Sequence, residues 1–380
     1  MSGPAERAVL DLVERYGSIR FDEFVEVALY HPDGGFFTGG GGAGRSGADF
    51  ITSPEVGPLY GAVVAAYLDA RWDELGRPDP YVVVDAGAGR GALAISLLAA
   101  EPRCAPALRL ILVERSEELR ARQADHLELV HPFEVLGPST DDDRDGLGPR
   151  TEGRGPLCCA LPDLPAARFA GVVVANELLD NLPFRLFERG GDGWREVRVS
   201  EDASGGLAEL LVPADDAAAA RLDELVPEAA AGARVPLQAA AVDWLTDALA
   251  LIEAGSVLVV DYAAPTAQLA ARPVREWLRT YRGHERGGDP LDAPGSQDIT
   301  CEVALDQLAR VAEPDDTCTQ AEWLRRWGID DLVEEGRRLW AERAHAPDLA
   351  AMRARSRAVE AEALLDPSGL GAFTVAEWRR

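Results

Sequence analysis

The amino-acid sequence predicts an α/β fold with a doubly wound, mainly parallel sheet. Three observations support this: short strands that are apolar throughout, helical segments between them, and a glycine-rich turn after the first strand. Continuous apolar runs are typical of parallel strands covered on both faces, and strands that alternate with helices indicate a doubly wound sheet. The predicted strands are residues 81–85, 108–114, 169–177 and 255–263.

The predicted organisation is an N-terminal extension followed by one large core. Residues 1–78 are expected to form a helical extension with a glycine-rich loop, which includes the run of glycines at 39–42. Loops of this length in compact domains are usually functional or disordered, and we expect this one to act as a lid. Residues 79–380 are expected to form the core, with insertions at about 200–250 and 264–300.

The composition excludes several kinds of site. The 380 residues include no lysine, which excludes a P-loop lysine, a Schiff base and a pyridoxal phosphate site. A formal net charge of −27 argues against binding nucleic acid through its phosphates. The five cysteines form no CxxC pair and no metal-like cluster with the five histidines, so we expect no metal site.

The apolar runs and the first residues of the chain bear on its localisation. No apolar run approaches the roughly 20 residues that a membrane-spanning helix needs. The first residues are acidic and helical in pattern, unlike a signal peptide. We therefore expect a cytoplasmic protein that does not insert into a membrane.

The turn after the first strand carries the most informative motif. Its sequence is DAGAGRG, in which Asp85 is followed by Gly87, Gly89 and Gly91. A dinucleotide fingerprint is GxGxxG, and the position of its third glycine is Ala92 in this chain. S-adenosylmethionine fits better, because it has no phosphate and glycines let the backbone pass close to its adenosine and methionine portions. A dinucleotide site and a purely structural turn remain as alternatives.

Two acidic residues at strand ends complete the predicted cofactor site. Asp85 is placed to reach the ammonium group of the ligand, directly or through water. Glu114 ends the next strand, where a carboxylate accepts hydrogen bonds from ribose hydroxyls in other α/β nucleoside sites. Together with the glycines, these residues predict a methyltransferase-type site for S-adenosylmethionine.

A series of motifs occurs in a fixed order along the chain: ALYHPDGGFFT, GADFITSPEVGPLYG, VDAGAGRGAL, LVERSEELRARQ, ANELLDNLPFRLF, GWREVRV, LVVDY, LRTYRGH and QDIT. In this order the chain resembles the MidA-like methyltransferases, the family of the mitochondrial arginine methyltransferase needed for complex I assembly. The resemblance extends over about residues 17–330. It implies a class I methyltransferase (Rossmann-like) fold, S-adenosylmethionine as donor and, as in the characterised member, symmetric dimethylation of a protein arginine.

The chain departs from the family's pattern at a few positions. It inserts Ala48 into the motif GDF, and it has Ala263 where glycine commonly follows DY. After the DIT motif it has Glu302 and Ala304, where family members tend to have histidine and aspartate. These departures leave the identity of the methyl acceptor open.

Asn176, Glu177 and Asp180 are candidate catalytic residues, because they lie at or just after the carboxyl end of the third predicted strand. Ligands bind at the carboxyl ends of such strands. An arginine acceptor is cationic at neutral pH, so Glu177 and Asp180 would bind and orient its guanidinium. The Asn176 amide would contact cofactor or acceptor. The alternative is an N-terminal helix cap, since asparagine caps helices and acids favour first turns.

Further candidates follow the glycine-rich loop. Asp49, Thr52 and Glu55 would belong to the lid, with Glu55 as a third catalytic carboxylate, Thr52 as a cofactor contact and Asp49 as a substrate contact. The alternative is a turn that starts a helix, in which Ser53 is the cap and Pro54 the first helical residue.

Arg279, Tyr281 and His284 are candidate substrate-binding residues, because they follow the fourth predicted strand at the same edge of the sheet. They would line the acceptor groove, or alternatively pair with the acidic surface. The amphipathic segment 331–365 is expected to pack against the core or to form a subunit contact, which allows a homodimer.

The leading hypothesis is therefore methylation, dependent on S-adenosylmethionine, of an arginine in a protein or peptide partner, with no nucleic acid and no membrane involved. A first alternative is a methyltransferase that acts on a small-molecule acceptor of secondary metabolism. A second is a non-catalytic assembly module that holds S-adenosylmethionine without turnover.

Overall fold

The computed structural model describes residues 3–39, 41, 51–137, 153–283 and 285–380. The chain divides into two compact units, each made of three stretches of sequence. They contain the following residues: 1–50, 177–247 and 261–313 in unit 1, and 51–176, 248–260 and 314–380 in unit 2. These boundaries differ from the subdivision expected at 78/79, which stays a prediction about the organisation of the chain.

Helices and strands are numbered in chain order. The helices are α1 Pro4–Tyr16, α2 Phe21–Tyr30, α3 Ser53–Val56, α4 Pro58–Glu74, α5 Ala92–Ala99, α6 Glu117–Gln123, α7 Pro132–Leu136, α8 Asp216–Leu225, α9 Ala239–Leu251, α10 Thr266–Ala270, α11 Val274–Trp277, α12 Leu305–Leu308, α13 Gln320–Arg326, α14 Ile329–Arg343 and α15 Leu349–Leu364. The strands are β1 Ile19–Arg20, β2 Tyr81–Ala86, β3 Leu108–Val113, β4 Leu157–Leu161, β5 Phe169–Asn176, β6 Arg185–Arg189, β7 Trp194–Glu201, β8 Leu207–Pro213, β9 Arg234–Leu237, β10 Ile252–Asp261, β11 Ala263–Ala264, β12 Leu278–Arg282, β13 Glu285–Arg286, β14 Asp298–Cys301, β15 Val303–Ala304, β16 Asp316–Thr319 and β17 Thr374–Arg379.

Unit 2 contains a seven-stranded sheet with the order β16-β17-β10-β5-β2-β3-β4. The strands from β10 to β4 are parallel, and β16 is antiparallel to β17. Every side chain of β2 and β3 is buried, as their continuous apolar runs predicted. The mixed α/β character is confirmed, and the first three predicted strands match β2, β3 and β5 closely. The fourth is observed as β10 followed by the short strand β11.

The strand order reverses next to β2. From β2 the chain adds β3 and β4 on one side, and it later adds β5 and β10 on the other. The carboxyl ends of β2 and β5 are therefore adjacent, with Ala86 paired to Ala175. In α/β sheets ligands bind at such a reversal, outside the carboxyl ends of the strands. Asp85 and Asn176 lie at these two ends.

A buried carboxylate fastens α15 to the first turn of α4 within unit 2. Glu360 accepts hydrogen bonds from the N–H of Leu59 at 2.9 Å and from the hydroxyl of Ser356 at 2.6 Å. The first N–H groups of a helix lack partners within that helix, so an acceptor from elsewhere stabilises its start. Helix α15 also contacts α3 and α14. These contacts define the inward face of α15.

Unit 1 is built on an antiparallel sheet in which β7 pairs with β1, β6 and β8, and β9 pairs with β6. Its core includes Phe21, Phe24, Phe184 and Trp277, all almost fully buried. Strand β12 pairs with β13 and β14, and β11 pairs with β15 in parallel. Among the described residues, no helix combines the length and the apolar character that crossing a membrane requires.

Candidate active site

Three glycines with left-handed backbone angles form the turn after β2. The φ angle is +75° at Gly87, +53° at Gly89 and +84° at Gly91, a region that glycine adopts without steric cost. The N–H groups of Gly87 and Ala88 donate to the carbonyl of Val113 at 2.9 and 3.0 Å. These bonds fasten the turn to the end of β3, so it is a fixed part of the sheet edge.

Gly91 and Gly89 have different surroundings. A Cβ at Gly91 would lie 3.1 Å from Cδ1 of Leu127 and 3.2 Å from Cδ2 of Leu112, so the absence of a side chain permits close packing. A Cβ at Gly89 would meet no described atom within 4 Å. Gly91 therefore serves the packing of the fold, whereas Gly89 leaves open space against the backbone, in which a ligand can lie.

Asp85 is buried at the end of β2 with an incomplete set of hydrogen bonds. It is 4% exposed, and its Oδ2 atom has no hydrogen-bond partner among the described residues. Burial, with a smaller contribution from the charge of Glu114, raises the pKa of Asp85 to about 7. An unpaired buried carboxyl oxygen is costly, and a cationic N–H donor would remove that cost. The ammonium group of S-adenosylmethionine is such a donor, so Asp85 fits this cofactor.

Glu114 is half-buried at the end of β3, and both of its carboxylate oxygens are held by backbone groups. Oε2 accepts from the N–H of Gly89 at 2.9 Å, and Oε1 accepts from the N–H of Ser116 at 2.7 Å. Burial raises the pKa of Glu114, and these two hydrogen bonds oppose that rise. Gln123 donates to the carbonyl of Gly89 at 2.8 Å. The carboxylate is thereby oriented, and each oxygen keeps a lone pair for a hydroxyl donor.

Asn176 is the last residue of β5, and α4 holds its amide. The hydroxyl of Tyr60 donates to Oδ1 of Asn176 at 2.6 Å, and both side chains are buried. The next element is a short 3₁₀ turn, Leu179–Asn181, whose N-cap residue is Leu178 and which has no side-chain cap. The alternative in which Asn176 caps a helix is therefore not observed.

The segment after Asn176 carries two candidate carboxylates and belongs to unit 1. Glu177 has a φ angle of +52°, which is uncommon for a residue with a Cβ and marks local strain. Oδ2 of Asp261 accepts hydrogen bonds from the N–H groups of Leu179 at 3.0 Å and Asp180 at 3.3 Å. The buried carboxylate of Asp261 therefore stabilises the turn by accepting hydrogen bonds from the backbone of the turn.

Glu177, Asp180 and Asp261 interact electrostatically and are called the acidic cluster below. Burial raises the pKa of Asp180, and the positive charge of Arg279 partly opposes this. Burial, followed by the charges of Asp180 and Glu177, raises the pKa of Asp261 well above its usual value. Oδ1 of Asp180 has no hydrogen-bond partner among the described residues. The acidic cluster therefore favours a cation with N–H donors.

Arg279 and Tyr281 are placed near the acidic cluster through Tyr262. The guanidinium carbon of Arg279 lies 5.4 Å from the centroid of the Tyr262 ring. Burial raises the pKa of Tyr262, and the charges of Glu177 and Asp180 and the Tyr281 hydroxyl raise it further. The two predicted substrate residues and the acidic cluster thus occupy one neighbourhood of unit 1.

Thr52 and Glu55 are half-buried at the short helix α3. Thr52 occupies the N-cap position without a side-chain hydrogen bond to the helix. Ser53 is the first helical residue and donates instead to Oε1 of Gln320 at 2.9 Å, so it is not the cap that the alternative predicted. Helix α3 contacts α5, the helix that follows the glycine turn.

Several sequence-based candidates lie outside the described residues. Asp49, His284 and the inserted Ala48 are among them.

The other residues that depart from the family pattern, Ala263, Glu302 and Ala304, make contacts within unit 1. Ala263 pairs with Val303 in the short parallel ladder of β11 and β15, which also includes Ala304. Arg272 donates to Glu302 at 2.7 Å.

Sequence reasoning missed Asp261, Tyr60 and Gln123. A signal for Asp261 was present, because it ends an apolar strand just as Asp85 does. Tyr60 and Gln123 gave no such signal, since both lie within ordinary helical patterns.

The fold and these residues define a methyltransferase that depends on S-adenosylmethionine. The model of a family described as "Putative S-adenosyl-L-methionine-dependent methyltransferase" matches residues 63–322. The match covers more than half of the chain, and the chain belongs to this family. The predicted cofactor and enzyme class are confirmed, as is the resemblance to the MidA-like methyltransferases.

Curated relatives carry more specific names. The chain is 27% identical over 337 residues to the mitochondrial protein arginine methyltransferase NDUFAF7 of Danio rerio, covering 84% of this chain and 75% of the relative. It is also 27% identical to NDUFAF7 of Homo sapiens, with 82% and 69% covered. A crystal structure from Burkholderia thailandensis, bound to S-adenosyl-homocysteine, is 29% identical with a TM-score of 0.78, covering 100% of this chain and 95% of that one.

The expectation of a cytoplasmic protein is wrong by this comparison. The curated relatives from Danio rerio, Mus musculus and Homo sapiens are named mitochondrial proteins. The expectation rested on the absence of an apolar run and of a signal-peptide pattern, and neither observation distinguishes the cytoplasm from other aqueous compartments.

Alanine substitutions at the two glycines should separate their roles. Gly91→Ala should lower the free energy of unfolding by about 2 kcal/mol, because strain at positive φ adds to crowding against Leu127 and Leu112. Gly89→Ala should cost only about 1 kcal/mol from strain and yet weaken binding of S-adenosylmethionine at least tenfold. Urea denaturation and titration calorimetry measure the two effects. Equal stability of the variants, or wild-type affinity in Gly89→Ala, would contradict these roles.

The raised pKa of Asp85 predicts a pH dependence of stability. Folded Asp85 keeps its proton up to about pH 7, whereas an unfolded aspartate releases it near pH 3.9. The folded state binds more protons in this interval, so the unfolding free energy should fall as pH rises from about 4 to 7.

Asp85→Asn should remove this part of the pH dependence, which is at most about 1.4 kcal/mol per pH unit. Urea midpoints of the ligand-free chain between pH 5 and 8 measure it. The exposed Asp331→Asn is the matched control and should keep the wild-type slope. Parallel curves for wild type and Asp85→Asn would show that the group is ionised in the folded chain.

Proposed function

We propose that the protein transfers methyl groups from S-adenosylmethionine to an arginine side chain of a protein partner. The observation that carries this proposal is the acidic cluster, in which three carboxylates interact and an oxygen of Asp180 is unpaired. A guanidinium supplies positive charge and planar N–H donors that match such a cluster. The names of the curated relatives support the same acceptor.

For the donor half, we infer that the sheet of unit 2 is the doubly wound core of a class I methyltransferase. The reversal of strand order beside β2 supports this inference. In the proposed site, Asp85 receives the ammonium group, Glu114 receives the ribose hydroxyls, and the backbone at Gly87 and Gly89 lies against the ligand. Thr52 and Asn176 are proposed as further contacts. The bound cofactor supplies an electrophilic methyl group on a sulfonium.

For the acceptor half, the cluster carboxylates bind and orient the guanidinium. Glu177 and Asp180 are proposed to pair with its N–H groups and to draw positive charge away from the attacking nitrogen. That nitrogen forms a bond to the methyl carbon while the carbon–sulfur bond breaks and its electron pair stays on sulfur. One N–H proton leaves to a carboxylate or to water. Asp261 is a positioning residue, because it holds the backbone of the turn.

The remaining sequence-based candidates keep proposed roles at the acceptor. Glu55 is a further carboxylate on α3, and Asn176 contacts the acceptor as well as the cofactor. Asp49, Arg279, Tyr281 and His284 are proposed to contact the substrate.

Transfer of label from S-adenosylmethionine carrying a tritiated methyl group tests the reaction. The wild-type chain, incubated with a cell extract, should place label in protein, and hydrolysis should release it as methylated arginine. Glu177→Gln should lower this transfer at least ~100-fold while the calorimetric Kd for S-adenosylmethionine changes less than about threefold. Glu209→Gln, on the exposed strand β8, is the matched control and should keep full activity.

The other outcomes identify the alternatives. Label found only in extracted metabolites would overturn the protein acceptor and favour the small-molecule hypothesis. Tight cofactor binding with no transfer to any fraction would favour the non-catalytic module. Full activity in Glu177→Gln would remove that residue from the mechanism.

The positioning role of Asp261 predicts a changed pH profile. Burial and the charges of Asp180 and Glu177 raise the pKa of Asp261 well above its usual value, so the loss of its proton should contribute a limb to the pH profile. Asparagine has no such proton to lose, and Asp261→Asn should therefore remove this limb from the profile of kcat/KM for the acceptor. It should also lower kcat, because both carboxylate oxygens of Asp261 accept backbone N–H groups, from Leu179 and Asp180 at Oδ2 and from Tyr262 at Oδ1, whereas an amide has only one acceptor oxygen. A reduced rate with an unchanged profile would indicate a purely structural role.

A further inference from the structure

Helix α15 exposes several large apolar side chains to solvent. Leu349 is 76% exposed, Met352 58% and Val359 70%. Isolated exposed apolar residues are normal on protein surfaces, but aligned ones on a single element indicate a contact surface. The three residues belong to one helix within unit 2.

These side chains share one face of the helix. Leu349, Met352, Ser356, Val359 and Ala363 follow one another at alternating intervals of three and four residues, the spacing of a coiled-coil seam.

The opposite face of α15 contacts the rest of unit 2. Ala351, Ala354, Ala361 and Leu364 are buried there, and Glu360 bonds to the start of α4. Apart from Ser356, which is half-buried and donates to Glu360, the seam is therefore not the face by which the helix packs on its own chain.

Charged residues of opposite sign lie along one edge of the seam. In an antiparallel pair of α15 helices, this edge is complementary in charge to the same edge of the second copy. Arg355 and Glu362 are both exposed and lie one heptad apart along the same edge of it. The guanidinium of Arg355 is held 5.0 Å from the centroid of the Trp340 ring, which orders it at the helix surface.

An antiparallel copy of α15, related by a two-fold axis near residues 357 and 358, brings together the seam from Met352 to Ala363 and the charged edge, while Leu349 lies beyond the paired stretch. In this register Met352 faces the partner's Ala363, and Ser356 faces the partner's Val359. Arg355 then faces the partner's Glu362, and the symmetry generates the same pair a second time.

We propose that the exposed face of α15 is a homodimer interface, in which two copies of this chain pair their α15 helices in antiparallel orientation. A second copy fits because one helix supplies both the apolar seam and both charges of each pair. The net charge of −27 on each copy opposes association. At an ionic strength of 0.15 M this repulsion is screened beyond about 8 Å, whereas the seam contacts are not.

Sedimentation velocity of the full chain at several concentrations tests the proposal. The wild type should be a dimer at micromolar concentration, and Met352→Glu with Val359→Glu should make it a monomer, with at least a 100-fold rise in Kd. Leu210→Glu, at a residue 40% exposed on β8, is the matched control and should leave the dimer unchanged. A wild type that is monomeric throughout, or a dimer that survives the double substitution, overturns the proposal.

Charge reversal tests the register independently of the apolar seam. Arg355→Glu places two carboxylates opposite each other in each pair, and Glu362→Arg places two guanidinium groups opposite each other. Each variant alone should therefore raise the Kd of the dimer roughly tenfold. An equimolar mixture of the two variants restores opposite charges in both pairs and should recover the dimer. Circular dichroism melting of each variant shows that the chain is folded. Weakening in each variant without recovery in the mixture rules out this antiparallel register.

Discussion

The acidic cluster depends on one interaction, in which the buried carboxylate of Asp261 accepts two backbone N–H groups of the 179–180 turn. Without an acceptor at that place, the N–H groups of Leu179 and Asp180 would lose this buried partner, next to a residue, Glu177, that has a positive φ angle. Burial and the charges of Asp180 and Glu177 in turn raise the pKa of Asp261 well above its usual value. One buried side chain therefore stabilises the backbone of the turn and interacts with the acids that the turn carries.

Burial of carboxylates is unfavourable for the ligand-free chain, and this cost favours selective binding at each of the two proposed sites. Asp85 in unit 2 and Asp180 in unit 1 each have an oxygen without a hydrogen bond among the described residues. Water would satisfy an exposed carboxylate equally well, but a buried one gains most from a cation that brings its own donors. The proposed ligands, a sulfonium with an ammonium group and a guanidinium, are both of this kind.

The glycine turn shows that one motif can combine two physical demands. Gly91 lacks a side chain because Leu112 and Leu127 occupy the space beside it, whereas Gly89 faces open space while its N–H orients Glu114. The spacing GxGxG therefore joins a packing glycine to one that faces open space. This explains why the turn differs from the dinucleotide fingerprint, in which the third glycine serves helix packing one residue later.

The sequence by itself determined strands β2, β3, β5 and β10, the glycine turn and the cofactor, because apolar runs and turn residues act over a few neighbouring positions. Tertiary structure alone decided what surrounds Glu177 and Asp180. Asp261 lies 82 residues from Leu179 along the chain, and Tyr60 lies 116 residues from Asn176. Such partners meet because the order of strands in the sheet brings together residues that are distant in the sequence. No local periodicity encodes that order. The division into two units of three stretches each escaped sequence reasoning for the same reason.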